Sequence, residues 1–390
     1  MNQAFCPCCN STKTEEFFKV SNAPVQSIVT IKSHEEAISI PRMDITLTFC
    51  NSCGFIYNSS FDISIDYYTK GYEDQQGFSP VFTKWINDIT NKFINKYDVR
   101  NKDVVEIGCG KGDFLNLVCE LGNNRGIGID PAYVNGRSES NPNVSFIKEF
   151  YSDKHGSLPN DVILCRHTLE HIHDTKTFIQ TIRKSILKKN DVILLIEVPS
   201  IVRILKVHAF WDIFNEHCSY FSPGSLGRFF RMCGFELLDV YLEYDNQYLF
   251  LEAKPTKNNS LKVHPIEESI QQLRAYVNKF VSGINRQLSN YRKLLLKLKN
   301  ENKKVVLWGG GSKSVGFLTH FDELKVIKHV VDINPHIQGN YIPGIGIQYV
   351  HPTFLKSFKP DTIIIMNEVY KNEIKKMLVE MDLDPKLICL

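Results

Sequence analysis

The segment 213–223, with the sequence IFNEHCSYFSP, combines ionisable and aromatic side chains in one short stretch. Within it, a carboxylate (Glu216), an imidazole (His217), a thiol (Cys218) and a phenol (Tyr220) follow one another closely. An imidazole can remove a proton near neutral pH, and a neighbouring carboxylate can orient the ring and stabilise its cation. The pattern therefore predicts a reactive loop in which His217 is the base and Glu216 its partner.

A second group of this kind, CRHTLEH at 165–171, follows the predicted strand DVIL. Open α/β sheets bind ligands at the carboxyl ends of their strands, so this group and the reactive loop can face one pocket. We expect His171 to act in catalysis with His217, and His167 to form part of the wall of a cofactor site. A structural role is the alternative for His171, because LEHI could simply begin a helix.

A glycine-rich turn, VVEIGCGKGDF, joins a predicted strand to the predicted helix FLNLVCELG. Glycines at such a turn let the backbone approach a ligand closely and open a helix N-terminus toward it. Asp130 ends the next strand, 22 residues after Gly108, where a carboxylate can bind both hydroxyls of a ribose. The spacing predicts a nucleoside-type cofactor, with NAD as one alternative. The predicted cofactor-binding residues are Glu106, Gly108, Gly110, Gly112, Asp130 and His167.

Two C-x2-C pairs, in CPCC and CNSCG, lie in a first segment that otherwise predicts short strands and turns. The two-residue spacer aims both sulfurs at one ion, and two such pairs supply the four thiolates of a tetrahedral zinc site. A site closed by four thiolates is structural rather than catalytic. The predicted metal ligands are Cys6, Cys9, Cys50 and Cys53. Cys8 is a spare thiol, and four unrelated buried thiols are the alternative.

Strand and helix patterns alternate from residue 101 onward, which predicts an α/β fold with a largely parallel, doubly wound sheet. Apolar residues then recur at steps of three and four, which predicts a long helix packed on its neighbours, with a coiled coil as the alternative. These residues are Leu273, Val277, Phe280, Ile284, Leu288, Tyr291 and Leu295. The predicted division is a zinc-binding module (1–70), a cofactor domain (71–256), a helical connector (257–300) and a smaller C-terminal α/β domain (301–390).

Composition limits the classes of function that fit the chain. Its 390 residues carry a net charge of +3, which gives no reason to expect a nucleic acid or an anionic membrane as partner. The start, MNQAFCPCC, lacks the features of a signal peptide, and no apolar run is long enough to span a membrane. Eleven cysteines without an export signal indicate a reducing compartment, so we expect a cytoplasmic protein.

Taken in order, these motifs resemble those of nucleotide-sugar C-methyltransferases. The form E-x-G-x-G-x-G followed by RHTLEHI resembles class I S-adenosylmethionine-dependent methyltransferases. NEHCSYFS, WGGGSKSVGFL and VVDINPHIQGNYIPG resemble the 3-C-methyltransferases that act on dTDP-4-keto-deoxysugars, and the resemblance spans nearly the whole chain. It implies a Rossmann-like class I domain, a smaller C-terminal Rossmann-like domain, S-adenosylmethionine as methyl donor and a structural zinc ion. It also implies a nucleotide-sugar substrate in deoxysugar, O-antigen or capsule biosynthesis.

The resemblance further implies roles for residues. The proposed base of the family is the histidine of the EH pair, which is His217 here; Glu216 matches its carboxylate and His171 the histidine of the earlier cluster. In the implied reaction a ketone at C4 acidifies the hydrogen on C3, a base removes it, and the enolate carbon takes the methyl group. The sugar, the nucleotide and the oligomeric state are left open.

One residue departs from the family pattern. Family members usually have tyrosine three positions before the catalytic histidine, whereas this chain has Phe214. Tyr220, or one of Tyr67, Tyr68 and Tyr72, could supply the missing phenol. Methylation of a hydroxyl or of another carbon, and a non-catalytic scaffold, are therefore further alternatives.

A second glycine loop, GGGSKS, begins the C-terminal unit, where the family usually has G-A-x-x-K-G. Its backbone N–H groups and Lys313 could bind a diphosphate. Because Asp332 ends the next predicted strand, the unit also resembles a dinucleotide site, and a nicotinamide-dependent sugar oxidoreductase is an alternative. A zinc-finger RNA methyltransferase is another, but it predicts a basic patch, and the first segment is mixed in charge.

Overall fold

A computed structural model of the chain describes residues 5–65, 71–138, 141–186, 191–257 and 262–390. Tyr67 and Tyr68, considered above as sources of a phenol, lie outside the described residues. The strands are β1 Thr14–Pro24, β2 Arg42–Cys50, β3 Ile56–Asn58, β4 Asp103–Ile107, β5 Arg125–Ile129, β6 Val144–Ile147, β7 Val162–Arg166, β8 Ile193–Pro199, β9 Ser219–Tyr220, β10 Phe235–Glu243, β11 Tyr248–Pro255, β12 Val305–Trp308, β13 Ile327–Val331, β14 Tyr349–Val350, β15 Thr362–Ile365 and β16 Lys386–Cys389. The helices are α1 His34–Ile38, α2 Pro80–Tyr97, α3 Asp113–Gly122, α4 Thr175–Ser185, α5 Ile201–Val207, α6 Pro223–Met232, α7 Ile270–Asn300, α8 Ser312–Phe321, α9 Leu355–Phe358 and α10 Lys371–Glu380.

The central sheet has the strand order β10-β11-β8-β7-β4-β5-β6. Strands β4 to β8 pair in parallel, and β11 runs antiparallel to both β8 and β10. Strand β4 carries the buried apolar run expected of a strand covered on both faces. Because the strand order reverses beside β4, the first glycine loop lies at the switch point where such sheets bind ligands. The predicted doubly wound α/β fold is confirmed.

A second parallel sheet, ordered β14-β13-β12-β15-β16, forms the C-terminal part of the chain. Here β12 lies at the switch point, and the second glycine loop follows it directly. Both parallel sheets therefore present a glycine loop and a following helix at the carboxyl end of a central strand.

The antiparallel sheet at the start of the chain has the order β1-β2-β3-β9. Its first two strands have 11 and 9 residues, longer than the short strands that the sequence suggested. Strand β9 comes from the end of the reactive loop and pairs with β3, through Ile56 with Tyr220 and Tyr57 with Ser219. The first segment of the chain therefore holds the reactive loop in place by backbone pairing.

The long helix α7 confirms the apolar stripe predicted from the sequence. Its N-cap Ser269 and Gln272 form a capping box, so the first N–H groups of the helix are satisfied. Leu273, Val277 and Phe280 are buried in a core shared with β1, α5 and α8. The helix packs against its neighbours within the chain. Within the described residues, no helix is long and apolar enough to cross a membrane.

Candidate active site

A cavity of about 730 Å³ opens between the two parallel sheets and the reactive loop. Residues of both glycine loops, of the loops after β7 and β8, and of the segment that follows residue 70 line it. The predicted site residues that line this cavity are Glu106, Gly108, Gly110, Asp130, His167, His171, Glu216 and His217. Gly112 lies outside its lining, and the four predicted metal ligands form a separate cluster.

The first glycine loop has a backbone that favours glycine. Gly108 and Gly110 have φ angles of 72° and 54°, in the left-handed region. A Cβ at Gly108 would collide with Thr168, and one at Gly110 would collide with Asp74. Asp130 supports this loop, since its carboxylate accepts hydrogen bonds from the N–H groups of Gly110, at 2.9 Å, and Ala132, at 2.6 Å.

The reactive loop is attached to the first segment of the chain by buried polar bonds. The Asn215 side chain donates to the carbonyl oxygens of Ala23, at 3.0 Å, and Pro24, at 2.9 Å. Oε1 of Glu216 accepts from both the backbone N–H and the hydroxyl of Ser27, the hydroxyl at 2.7 Å. The carboxylate of Glu216 is thus bonded to Ser27 rather than to the ring of His217, which the sequence suggested as its partner.

The two predicted catalytic histidines lie side by side. The ring centroids of His171 and His217 are 4.8 Å apart, with an interplanar angle of 75°. Ligand atoms of Glu170, His171 and His217 all lie within 4.8 Å of one another, so the Glu170 carboxylate lies beside this pair. Burial lowers the pKa of His171 and lowers that of His217 well below its usual range, with His171, His167 and Lys313 lowering the latter further. Both rings are therefore neutral at neutral pH.

His167 is a cation clamped between two buried carboxylates. Its Nε2 lies 3.0 Å from Glu197 and its Nδ1 lies 3.4 Å from Glu170. Burial alone would lower its pKa, but Glu197 and Glu170 outweigh burial and raise the pKa to about 9. Its φ of 46° turns the chain sharply after β7. His167 lines the cavity, as predicted, and its charge helps to keep the neighbouring imidazoles neutral.

Comparisons with known proteins fit this architecture. A family model described as a methyltransferase domain matches residues 81–240, and one described as a C-methyltransferase C-terminal domain matches residues 252–385. C-methyltransferase NovU of Streptomyces niveus is 26% identical over 288 residues, covering 70% of this chain and 67% of NovU. The chain is an S-adenosylmethionine-dependent methyltransferase with a C-methyltransferase C-terminal domain. The fold and the methyl donor implied by the sequence resemblance are thus confirmed, and these matches favour a methyltransferase over the nicotinamide-dependent alternative.

Solved methyltransferase structures also align with part of this C-methyltransferase. The 1,6-didemethyltoxoflavin-N1-methyltransferase of Burkholderia thailandensis is 16% identical with a TM-score of 0.34, covering 46% of this chain and 82% of its own. The magnesium protoporphyrin IX methyltransferase of Synechocystis PCC 6803 is 13% identical with a TM-score of 0.34, covering 47% and 91%. At scores this low the likeness carries no further weight.

The cavity of the C-methyltransferase fits its methyl donor. Glu106 is buried and lines the cavity, and its Oε2 has no hydrogen-bond partner among the described residues. Burial raises the pKa of this carboxyl to about 8. An orphaned buried acceptor needs a donor from a ligand, and S-adenosylmethionine brings hydroxyl donors and positive charge. Glu106, Gly108, Gly110 and Asp130 are therefore suitably placed to hold it.

Phe214 places a phenyl ring, without a hydroxyl, at the position where the family usually has a tyrosine. The Phe214 ring packs on His217, with centroids 4.2 Å apart. Tyr220 lies 6.0 Å from the His217 ring but is outside the cavity lining, whereas Tyr72 lines the cavity. Burial raises the pKa of Tyr72 well above its usual range, and Glu216 raises it further, so the phenol keeps its proton.

The second glycine loop is held by the same pattern of aspartate hydrogen bonds as the first. Asp332 accepts hydrogen bonds from the N–H groups of Gly310 and Asn334, just as Asp130 braces the first loop. Lys313, on the first turn of α8, is bonded to Asp212, two residues before Phe214. The second loop therefore contacts the residue that immediately precedes the reactive loop, at one end of the cavity.

The four predicted metal ligands come together. Sγ atoms of Cys6, Cys9, Cys50 and Cys53 all lie within 4.8 Å of one another. The Cys6–Cys53 and Cys9–Cys50 sulfur separations are 3.7 Å and 3.6 Å. Sulfurs of a tetrahedral zinc site with Zn–S bonds of about 2.3 Å are about 3.8 Å apart, so the cluster has the dimensions of such a site.

Sequence reasoning missed several residues that shape the cavity. Ser27 belongs to the first segment, and only the fold brings it to Glu216. Glu170 was considered only as part of a possible helix start, whereas its carboxylate lies close to His167 and to the His171–His217 pair. Its position next to His171 in the cluster was the available signal.

Proposed function

We propose that this C-methyltransferase methylates a nucleotide-linked 4-keto-deoxysugar at C3, through an enolate formed by His217, in deoxysugar biosynthesis. One observation carries the proposal: the neutral imidazole of His217 faces a cavity shared by a methyl-donor loop and a second glycine loop with a lysine. The base thus has a methyl donor on one side and an anion-binding loop on the other.

The reaction begins at the hydrogen on C3. The C3–H bond breaks, the proton passes to the neutral His217 ring, and the electron pair moves to the C4 carbonyl oxygen. A base placed in this way contributes about 10²–10⁴-fold in rate. S-adenosylmethionine, when bound, supplies an electrophilic methyl group. The enolate carbon forms its new bond to that methyl group as the sulfur–methyl bond breaks and its electron pair stays on sulfur, which leaves S-adenosylhomocysteine, and the carbonyl at C4 is restored.

The developing enolate oxygen needs a donor. Tyr72 is our candidate, because its protonated phenol lines the cavity and Glu216 is among the charges that raise its pKa. The segment that carries Tyr72 is fixed by a β-bridge between Tyr72 and Val29, two residues beyond Ser27. We propose that Tyr72 takes the role that the family usually gives to a tyrosine at the position of Phe214.

The second glycine loop suits the diphosphate of a nucleotide sugar. It leads into the N-terminus of α8, whose first N–H groups and helix dipole favour an anion, and Lys313 adds a cation. Lys313 and His217 both line the cavity, and Lys313 is close enough to lower the pKa of His217. A sugar anchored there by its diphosphate would place its ring beside the base.

We propose that the four-cysteine cluster binds a structural zinc ion. Its ligand set, its spacing and its separation from the cavity support this assignment. The ion would stabilise the first segment, which in turn holds the reactive loop through the pairing of β3 with β9.

The test is turnover with a panel of nucleotide-linked 4-keto sugars and S-adenosylmethionine, followed by mass spectrometry and NMR. The proposal predicts a mass gain of one methylene group and a new carbon–carbon bond at C3. Methylation of a sugar hydroxyl would instead establish O-methylation, the alternative that the absence of a phenol at Phe214 keeps open. No methylated sugar from any member of the panel would contradict the proposed substrate class.

A further inference from the structure

Ser27 lies at the meeting point of three parts of the chain. It belongs to the segment after β1, yet its hydroxyl is 2.7 Å from Oε1 of Glu216 in the reactive loop and 2.9 Å from Oγ of Ser312 in the second glycine loop. Its backbone N–H donates to the same Glu216 oxygen. Both Ser27 and Glu216 are 1% exposed, so water does not replace these bonds.

The Ser27 hydroxyl can act as a donor and as an acceptor at the same time. A hydroxyl has one proton and two lone pairs, so Ser27 can donate to the carboxylate while it accepts from Ser312. Ser312 begins α8, beside the loop to which we assign the diphosphate. A chain of hydrogen bonds therefore runs from the second glycine loop through Ser27 to Glu216.

Glu216 depends on this support. Its Oε1 takes both Ser27 bonds, while its Oε2 has no hydrogen-bond partner among the described residues and the residue lines the cavity. Its backbone oxygen accepts from Nδ1 of His171 at 2.9 Å. Glu216 thus places its free carboxylate oxygen at the cavity, and its backbone carbonyl positions His171, whose ring lies edge-to-face with that of His217.

From this geometry we infer that Ser27 is a positioning residue. It couples the second glycine loop to Glu216 and so sets the protonation and the orientation of the Glu216 carboxylate. The inference builds on the proposed function, but it assigns to Ser27, which lies at the cavity wall, an effect exerted through Glu216. Its consequence is that Ser27 controls the titration of Glu216 whichever sugar is the substrate.

The titration of Glu216 provides a readout that does not require turnover. Burial raises its pKa to about 7, and the two Ser27 bonds act in the opposite direction. The ionisable groups around it are Tyr72, Tyr220 and His171, which no Ser27 variant removes. Loss of the Ser27 hydroxyl should therefore raise the pH at the midpoint of the Glu216 titration.

The experiment uses the full-length protein with carbon-13 in its glutamate carboxyl groups. NMR follows the Glu216 resonance, which is assigned by its loss in Glu216→Gln. We expect Ser27→Ala to raise the midpoint by about one pH unit, Ser27→Thr to restore it, and Ser312→Ala to raise it by less. The matched control is Ser39→Ala, because Ser39 is an exposed serine of the same segment whose hydroxyl donates to the carbonyl oxygen of Glu36 in its own helix.

Turnover then separates this inference from the proposed function. With an active substrate, we expect Ser27→Ala to lower kcat about 10-fold and to leave the KM for S-adenosylmethionine unchanged. If no sugar is turned over but the midpoint moves, the substrate proposal fails and the role of Ser27 stands. A midpoint in Ser27→Ala equal to that in Ser39→Ala overturns the inference. If Ser27→Ala does not fold, the test uses Ser312→Ala instead. A Glu216 midpoint in Ser312→Ala equal to that of wild type then overturns the inference.

Discussion

Nδ1 of His171 lies 2.9 Å from the backbone carbonyl oxygen of Glu216. A carbonyl oxygen only accepts, so the neutral His171 ring carries its proton on Nδ1 and keeps Nε2 unprotonated. This bond joins the cluster after β7 to the reactive loop, although the two residues are far apart in sequence. The fold thus brings His171 and His217 together through two backbone contacts: the His171 ring bonds to Glu216, and the N–H of Cys218 donates to the carbonyl oxygen of Glu170.

Tyr72→Phe tests the source of the enolate donor. Removal of one oxyanion donor costs about 10²–10³-fold in kcat, and we expect a loss of that size. Tyr220→Phe is the matched control, since Tyr220 lies outside the cavity lining, and its kcat should remain within a factor of a few of wild type.

The double variant Tyr72→Phe/Phe214→Tyr sharpens this test. A phenol at position 214 would stand against the His217 ring, so it should recover part of the lost activity. Full activity in Tyr72→Phe alone would show that another group stabilises the enolate.

Glu106→Gln tests the buried carboxyl of the methyl-donor site through stability. Its pKa is about 8 in the folded protein, raised by burial, and about 4.3 in an unfolded chain. The folded state therefore binds more protons between these values, and its stability falls as pH rises through that window. In thermal unfolding without cofactor, the Tm of Glu106→Gln relative to that of wild type should increase as the pH is raised from about 5 to about 8.

The exposed Glu120 on the neighbouring helix α3 gives the control for that experiment. Glu120→Gln should follow wild type at every pH. Curves for Glu106→Gln and wild type that run parallel across the window would contradict a neutral Glu106 in the cofactor-free protein.

Cys50→Ser tests the zinc assignment. Ligation of a structural zinc ion contributes about 10–16 kcal/mol to the folding of small modules, so loss of one ligand should release the metal and lower Tm strongly. Because the first segment holds the reactive loop, methyl transfer should be lost as well. Cys8→Ser, which changes the spare thiol, should keep zinc as measured by elemental analysis. Equal zinc content in both variants would argue against the four-cysteine site.

Patterns confined to short stretches could be predicted from the sequence. The strand, glycine turn and helix around Gly108, the parallel sheet and the long helix α7 depend on periodicity and turn chemistry within a few residues. The clustering of Cys6, Cys9, Cys50 and Cys53 was also predictable, because each C-x2-C pair already directs two sulfurs to one point.

Contacts between distant parts of the chain could not be predicted in this way. The pairing of β9 with β3 and the bonds from Ser27 to Glu216 join segments that share no local pattern. The sequence suggested Glu216 as the partner of His217 because the two are adjacent, whereas the fold turns the Glu216 carboxylate to Ser27 and brings Glu170 to the histidines. Adjacent side chains in an irregular loop need not face one another, so their order in sequence does not fix their partners.

The most direct test of His217 as the base is hydrogen exchange at the sugar carbon. The protein is mixed with the nucleotide-linked 4-keto sugar in deuterium oxide, with S-adenosylhomocysteine in place of the methyl donor, and NMR follows deuterium at C3. We predict exchange by wild type and by His351→Ala, an exposed histidine outside the cavity, and a loss of about 10²–10⁴-fold in His217→Ala with cofactor binding retained. Exchange at the wild-type rate in His217→Ala would contradict the assignment of His217 as the base.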